Sequence, residues 1–142
     1  MNQSESSFLQ VLETYKSAVY AKDVETFLSL YDPDVEVFDM WGQWSYRGAS
    51  AWRKMVAEWF TSLGDERVKV QTQGLKVLAA DNIAVLHAFV TFTGESAEGK
   101  ELRSMQNRFT WTLRNLGGSW KIIHEHSSAP ADFETSKVML QP

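Results

Sequence analysis

The chain has 142 residues, no cysteine and a formal net charge of −4. This length predicts one domain over residues 1–142, and the lack of cysteine excludes disulfides, thiol chemistry and thiolate metal ligands. An acidic balance without a basic run argues against a nucleic-acid partner. No apolar segment reaches membrane-spanning length and the N-terminus has no secretory pattern, so we expect a cytoplasmic protein without a membrane partner.

Helices are predicted for the first part of the sequence. Apolar residues recur at helical spacing from Phe8 to Ala21 and predict an amphipathic helix, for which Ser6 or Ser7 is a suitable cap. Asp23 is typical of the N-cap of a short second helix that runs as far as Tyr31. The chain is therefore expected to begin with two helices joined by a tight connection.

A strand and a third helix are predicted next. The segment 32–34, with its proline, is expected to end the second helix, and the alternation from Val35 to Met40 predicts a short strand. After a loop bracketed by glycines, Ser50 is expected to open a third helix that ends near Leu63. That helix carries one apolar stripe, made of Trp52, Met55, Val56, Trp59 and Phe60.

Strands are predicted for the second half of the sequence. Alternating, β-branched segments separated by turn residues cover 68–73, 75–79, 83–93, 102–114 and 120–127. Pro130 is expected to stop the last of them. Helices followed by an antiparallel meander indicate the α+β class, with three N-terminal helices packed on one face of a curved antiparallel sheet.

Two of the three histidines stand together in the last predicted strand. Regular alternation places His124 and His126 on one face with Ile122, and we expect this face to point toward the helices. Three interpretations are open: a metal site with His87 or Asp39 as a third ligand, an acid or base, or hydrogen-bonded side chains in a pocket wall or subunit interface. Any strand places such a pair on one face, so the spacing is weak evidence for metal and we expect none.

Asp39 and Tyr15 are the candidate catalytic residues. Asp39 ends the row Val35-Val37-Asp39, and if the valines face inward the carboxylate follows them into the interior. A desolvated carboxylate has a raised pKa and can act as a base; the alternative is an aspartate that caps the following loop. Tyr15 lies in the apolar stripe of the first helix, where its hydroxyl can bond a ligand oxygen or Asp39, or belong to an ordinary core tyrosine.

Further polar and aromatic side chains are candidates for ligand binding. Arg108 can pair with a ligand carboxylate if it points inward, or form an exposed ion pair if it does not. Asn107 lies on the opposite face of the same strand, together with Phe109 and Trp111. The aromatic rings of Trp111 and Trp59 either fill a core or line a pocket for an apolar ligand.

Two stretches resemble a known family. DPDVEVFD followed by Arg47-Gly48, and the closing GGSWKIIHEHSSAP, resemble the nuclear transport factor 2-like superfamily and, more narrowly, its SnoaL-like branch. The closing motif is also similar to the association domain of calcium/calmodulin-dependent kinases, in which Arg108 would be the cavity arginine. The resemblance implies a cone, in which a curved antiparallel sheet wraps around helices, encloses a pocket and pairs with a second copy into a homodimer.

The same superfamily contains the steroid ketoisomerases, and the resemblance carries an implied chemistry. Tyr15 and Asp39 fall where those enzymes have a helix-1 tyrosine and an aspartate that ends the first strand. The isomerases also use a protonated aspartate in a late strand, and residues 109–112 hold no carboxylate. Two functions are therefore implied. One is an isomerase, cyclase or dehydratase that needs no cofactor and removes a proton next to the carbonyl of a small, apolar molecule. The other is a non-catalytic homo-oligomeric binding or assembly module.

Overall fold

The computed structural model describes residues 3–142 and confirms the α+β class. The helices are α1 (Gln3–Ala21), α2 (Val24–Leu28) and α3 (Ala49–Ser62). The strands are β1 (Tyr31–Phe38), β2 (Tyr46–Arg47), β3 (Arg67–Ala80), β4 (Ile83–Glu95), β5 (Glu101–Leu116) and β6 (Ser119–Ser128). They form one six-stranded sheet in the order β2-β1-β6-β5-β4-β3.

The helices pack against the inner face of the sheet. α1 contacts β3 and β6, and α3 contacts β1. α1 begins at Gln3, so Ser6 and Ser7 lie within the helix and do not cap it. The predicted cap of α2 is confirmed, because the Asp23 side chain accepts hydrogen bonds from the Thr26 backbone N–H and hydroxyl. No helix within residues 3–142 combines the length and apolar character that a membrane crossing needs.

β1 differs from its prediction at both ends, since it begins before Val35 and ends at Phe38, two residues before Met40. Tyr31 is the first residue of this strand, not the end of α2, and segment 32–34 lies inside the strand. β1 pairs with β6 in parallel, with a register shift between Tyr31 and Glu36. Pro33 lies in that interval and has no N–H to donate, which is why the pairing is interrupted there. The sheet is therefore mixed, with one parallel pair among antiparallel neighbours.

The long strands extend past the helices. β3 is one continuous strand with a register shift between Gln73 and Lys76, next to Gly74 with its positive φ of 64°. Beyond this point nearly every β3 residue is exposed on both faces. The buried residues of β4, β5 and β6 instead meet α1 and α3, where they form one apolar core that includes Phe8, Val19, Phe27, Val56, Leu86, Leu113 and Ile122.

Candidate functional site

A β-bulge in β6 decides which side chains reach the interior. Leu113 of β5 pairs with Ile122, but the preceding residue, Thr112, pairs with His124, so Ile123 has no partner. An extra residue shifts the alternation by one position. Trp120 and Ile122 face inward before the bulge, and Glu125 and Ser127 are the buried residues after it.

The predicted orientation of His124 and His126 is therefore wrong. Nδ1 of His124 lies 2.7 Å from the backbone oxygen of Glu36. Both imidazole rings pack against Phe38, with centroid distances of 4.8 Å for His124 and 5.6 Å for His126. These two histidines belong to the outer face of the sheet. Within residues 3–142 no group of three histidine, aspartate or glutamate side chains is placed to hold a metal ion.

Arg108 also lies on the outer face, so its predicted place in the cavity is wrong. Its side chain is exposed, and Nε donates a hydrogen bond to Ser128 Oγ at 3.1 Å. β5 keeps a regular alternation here, and the inward positions on either side of Arg108 are taken by Asn107 and Phe109. Of the two orientations that the sequence left open for Arg108, inward or exposed, the structure shows the exposed one.

A cavity of about 520 Å³ lies between α1, α3 and the inner face of the sheet. Its size suits a small organic ligand. Its walls are mostly aromatic and apolar, with Trp41, Trp52, Met55, Trp59, Leu63, Val68, Phe92, Met105, Phe109 and Leu140. Leu140 reaches it because the C-terminal segment lies along β5, where the Gln106 N–H donates to the Leu140 carbonyl at 2.7 Å. The polar lining side chains are Tyr15, Asp39, Arg103, Ser104, Asn107 and Glu125.

Glu125 is the most unusual of these polar side chains. The residue is 1% exposed, yet it lines the cavity. The Tyr31 hydroxyl donates to its Oε1 at 2.5 Å, and Trp111 Nε1–H donates to the same oxygen at 2.9 Å. Both donors end on Oε1, and neither binds the second oxygen, Oε2.

The surroundings of Glu125 favour its protonated form. Burial raises the pKa of Glu125 from 4.5 to about 8, and the nearby charge of Asp39 adds to the increase. The hydrogen bonds from Tyr31 and Trp111 act in the opposite direction and lower it. At neutral pH this side chain is therefore mainly a carboxylic acid, which can donate a hydrogen bond.

Asp39 is the second carboxyl group of the cavity. Val35 and Val37 are fully buried in β1, and Asp39, the residue after this strand, lines the cavity. Its Oδ1 accepts from the Ser127 hydroxyl at 3.1 Å and its Oδ2 from the Trp41 N–H at 3.1 Å, so it also caps the loop after the strand. Partial burial raises the pKa of Asp39, and the two donors reduce that increase.

Tyr15 lies in the cavity with both carboxyl groups nearby. Its ring contacts Phe27 and Trp111, with centroid distances of 5.0 and 5.2 Å, and the residue is 3% exposed. Burial raises the pKa of Tyr15 most strongly, and the charges of Glu125 and Asp39 raise it further. The hydroxyl is therefore held in its protonated, hydrogen-donating form.

The remaining predicted residues take different positions. Trp59 and Asn107 line the cavity, and Asn107 Nδ2 donates to Met40 Sδ at 3.3 Å. Trp111 is fully buried and does not line the cavity, so its predicted ligand contact is replaced by its hydrogen bond to Glu125. Whether any of these side chains binds a ligand stays a prediction.

The sequence prediction missed Glu125 and its partner Tyr31. Regular alternation put Glu125 on the face opposite Ile122, and helical spacing put Tyr31 in α2. One signal for the bulge is present, since Ile122 and Ile123 are adjacent apolar residues and regular alternation would expose one of them. Because the bulge shifts the alternation by one residue, a prediction from regular alternation places the carboxyl group of Glu125 on the wrong face.

Fold and cavity together define a class of protein. Helices packed on one face of a mixed sheet, with a cavity between helices and sheet, are the architecture of the nuclear transport factor 2-like, or cystatin-like, proteins. The family model of the SnoaL-like domain matches residues 9–132, and the chain belongs to this family. No curated protein matches the chain in sequence.

Solved structures agree with this assignment. An NTF2-like protein of unknown function from Pseudomonas putida KT2440 superposes with a TM-score of 0.87 at 27% identity, over 98% of this chain and 95% of the other. A Xanthomonas campestris protein, provisionally called a calcium/calmodulin dependent protein kinase II association domain, gives 0.74 at 23% identity over 88% and 86%. An NTF2-like protein with a cystatin-like fold from Novosphingobium aromaticivorans gives 0.76 at 13% over 93% and 85%. The last two show the shared fold alone.

Proposed function

We propose that the protein binds a small, apolar, carbonyl-bearing molecule and removes a proton from the carbon next to the carbonyl group. The observation that carries this proposal is the pair of carboxyl groups, Asp39 and Glu125, in one mostly apolar cavity. Their surroundings differ: burial raises the pKa of Glu125 to about 8, whereas Asp39 is only partly buried and accepts two hydrogen bonds that reduce the increase in its pKa. Two carboxyl groups held in different protonation states are the usual arrangement of a base and an acid.

Asp39 is the proposed base. Its ionised carboxylate takes the proton, the C–H electron pair forms a carbon–carbon double bond, and the carbonyl π pair moves onto oxygen. Partial burial raises the pKa of Asp39 and so makes it a stronger base than an exposed aspartate. Returning the proton to the same carbon gives exchange with solvent, and returning it to another carbon gives isomerisation. Neither needs an oxidant or a reductant.

Glu125 and Tyr15 are the proposed donors to the carbonyl oxygen. The protonated Oε2 of Glu125 and the Tyr15 hydroxyl can both hydrogen bond to this oxygen as it gains negative charge. One preorganised donor of this kind contributes about 10²- to 10³-fold in rate. Glu125, from β6, would then take the place of the protonated aspartate that is missing from residues 109–112 in the comparison with the steroid ketoisomerases.

Hydrogen exchange tests this proposal. The wild-type protein in D₂O should accelerate deuterium exchange of the acetyl protons of 2-acetylnaphthalene, followed by proton NMR. Asp39→Asn should lower the rate about 100-fold or more, while Asp34→Asn, on the exposed side of the same strand, should leave it unchanged. Circular dichroism checks that each variant folds. Equal rates for wild type and Asp39→Asn, or no acceleration with any of a series of aryl ketones, would contradict the proposal and favour the non-catalytic assembly module.

We also propose that two copies pair through the outer face of the sheet. At its centre, Phe89 is 55% and Phe38 37% exposed, beside Arg108, Thr110 and His126. Exposed aromatic rings with an arginine among polar side chains are typical of an interface, and a homodimer covers them with an identical patch. Sedimentation equilibrium should give a dimer, and Phe89→Lys should give a monomer. A monomeric wild type would contradict this. The cytoplasmic location also stays a proposal.

A further inference from the structure

The cavity is long, and its two ends carry different charges. The lining residues of α3 run in one stripe from Trp52 to Leu63, eleven residues apart, which is roughly 16 Å along a helix axis. On β5 the lining residues run in the opposite sense, from Phe109 back to Arg103. Glu125 lies near the Trp52 end, because the ring of its hydrogen-bond donor Tyr31 contacts Trp52 with the centroids 6.2 Å apart. Glu125 and Arg103 therefore lie at opposite ends of the cavity, whereas Asp39 lies near Phe109, the strand partner of its hydrogen-bond donor Ser127.

Arg103 is the only cation among the lining residues, all of which fall within the described part of the chain. Its Nη2 lies 2.6 Å from Glu66 Oε1, and this contact holds the guanidinium group at the cavity edge. The side chain is 60% exposed, so a ligand can reach it. A guanidinium group has five N–H donors, and one acceptor leaves several of them for a second carboxylate.

Gly94 makes room for this arginine. A Cβ at position 94 would lie 3.3 Å from the guanidinium carbon of Arg103, which is a tight contact, and 3.5 Å from its Nη1, which is an ordinary one. The Arg103 side chain thus lies across a residue that has no side chain of its own. Glu66 and Gly94 together fix the position of the cation at the cavity mouth.

We infer that Arg103 binds an anionic group at the far end of the ligand, so that the preferred ligand is an elongated aromatic ketone that carries a carboxylate. The aromatic rings of Trp59, Phe92 and Phe109 line the space between the two ends. The ionised Asp39 repels an anion from the floor, and Arg103 attracts it at the mouth, so the ligand binds in one direction. This direction of binding points the ketone toward Asp39 and Glu125. Only the assignment of the ketone end of the ligand rests on the proposed function.

Matched probes test the inference. The acid 6-acetyl-2-naphthoate carries a ketone and a carboxylate at its two ends; its methyl ester and 2-acetylnaphthalene lack the charge. Isothermal titration should show that wild type binds the acid more tightly than either neutral probe. Arg103→Met should weaken binding of the acid about fivefold and leave the neutral probes within about twofold. Gly94→Ala should give a smaller loss for the acid, and added salt should reduce the preference.

Arg114→Met is the control, because it removes an exposed arginine of the same strand that does not line the cavity, and it should leave all three affinities unchanged. Equal binding of acid and ester by wild type, no binding of the acid, or an equal loss for all probes in Arg103→Met would overturn the inference. The two proposals fail separately. A preference for the acid that survives without any proton exchange contradicts only the proposed function, and exchange without that preference contradicts only the role of Arg103.

Discussion

The two faces of β6 hold ionisable side chains of similar size in opposite surroundings. Glu125 is 1% exposed and accepts two hydrogen bonds inside the protein, whereas His126, the next residue, lies on the outer surface beside Phe38. A single unpaired residue, Ile123, decides which of them reaches the cavity. The conspicuous histidine pair and the candidate catalytic carboxyl group of Glu125 therefore lie on the same strand but on opposite faces. The predictions below test that separation.

The largest expected effect is a dependence of stability on pH. Glu125 has a folded-state pKa of about 8 against an ordinary value of 4.5, so the folded protein binds more protons than the unfolded chain between these values. Its contribution is therefore fully present below pH 4.5 and is lost as the pH rises through 8. The loss is on the order of 4–5 kcal/mol. Urea unfolding from pH 4 to 9 should show the fall in wild type and in Glu98→Gln, an exposed control, but not in Glu125→Gln.

The next largest effect concerns the rate of proton exchange. Glu125→Leu removes a donor to the ligand oxygen and should lower the exchange rate of 2-acetylnaphthalene about 100-fold or more. Glu125→Gln keeps an N–H donor of similar shape and should retain more of the rate. His126→Gln is the matched change on the outer face. If Glu125→Leu and His126→Gln had equal rates, the two faces would not differ in function.

A smaller effect is expected from Tyr31→Phe, which removes one hydrogen bond to Glu125. Stability should fall by about 1–2 kcal/mol, measured by urea unfolding at pH 6. The hydroxyl lowers the pKa of Glu125, so its loss should move the titration of this group to higher pH. Tyr20→Phe, at a partly exposed ring outside the network, should change neither quantity; a shift as large as that of Tyr31→Phe would show a general effect of losing a hydroxyl.

The smallest effect should come from Arg108→Met on the outer face. This arginine makes one hydrogen bond to Ser128 and does not line the cavity. The stability of the folded chain should change by less than about 0.5 kcal/mol, and the exchange rate by less than about twofold. Thermal unfolding and the NMR exchange assay measure the two. A large loss of exchange would indicate that Arg108 takes part in the site. It would contradict the functional difference between the two faces of the sheet.

The parts of the site that were predictable follow regular periodicity. Helical spacing places Tyr15 on the buried stripe of α1, and strand alternation places Val35, Val37 and Asp39 on one face of β1. Both patterns persist in the structure, where Tyr15, Val35 and Val37 are buried. In β1 the register shift before Glu36 leaves the alternation of Val35 and Val37 unchanged. The same rule correctly separates Asn107 and Phe109 from Arg108 along β5, although the sequence alone does not say which face is inside.

The rest was not predictable because it depends on irregular pairing. The bulge at Ile123 reverses the faces of β6, and a bulge is set by the fit between neighbouring strands, not by the strand alone. Tyr31 follows helical spacing in the sequence, but α2 ends at Leu28 and the tyrosine starts β1 instead. The bond from Tyr31 to Glu125 joins residues 94 positions apart, and no local pattern reports such a contact.

The protonation state of Glu125 tests the central claim most directly. Carbon-13 NMR of protein labelled at the glutamate side-chain carboxyl carbon can follow each group through a pH titration, and Glu125→Gln identifies the signal that belongs to Glu125. The account predicts one glutamate that titrates near pH 8 and whose signal is missing in Glu125→Gln. A titration in which every glutamate ionises below pH 6 would contradict it.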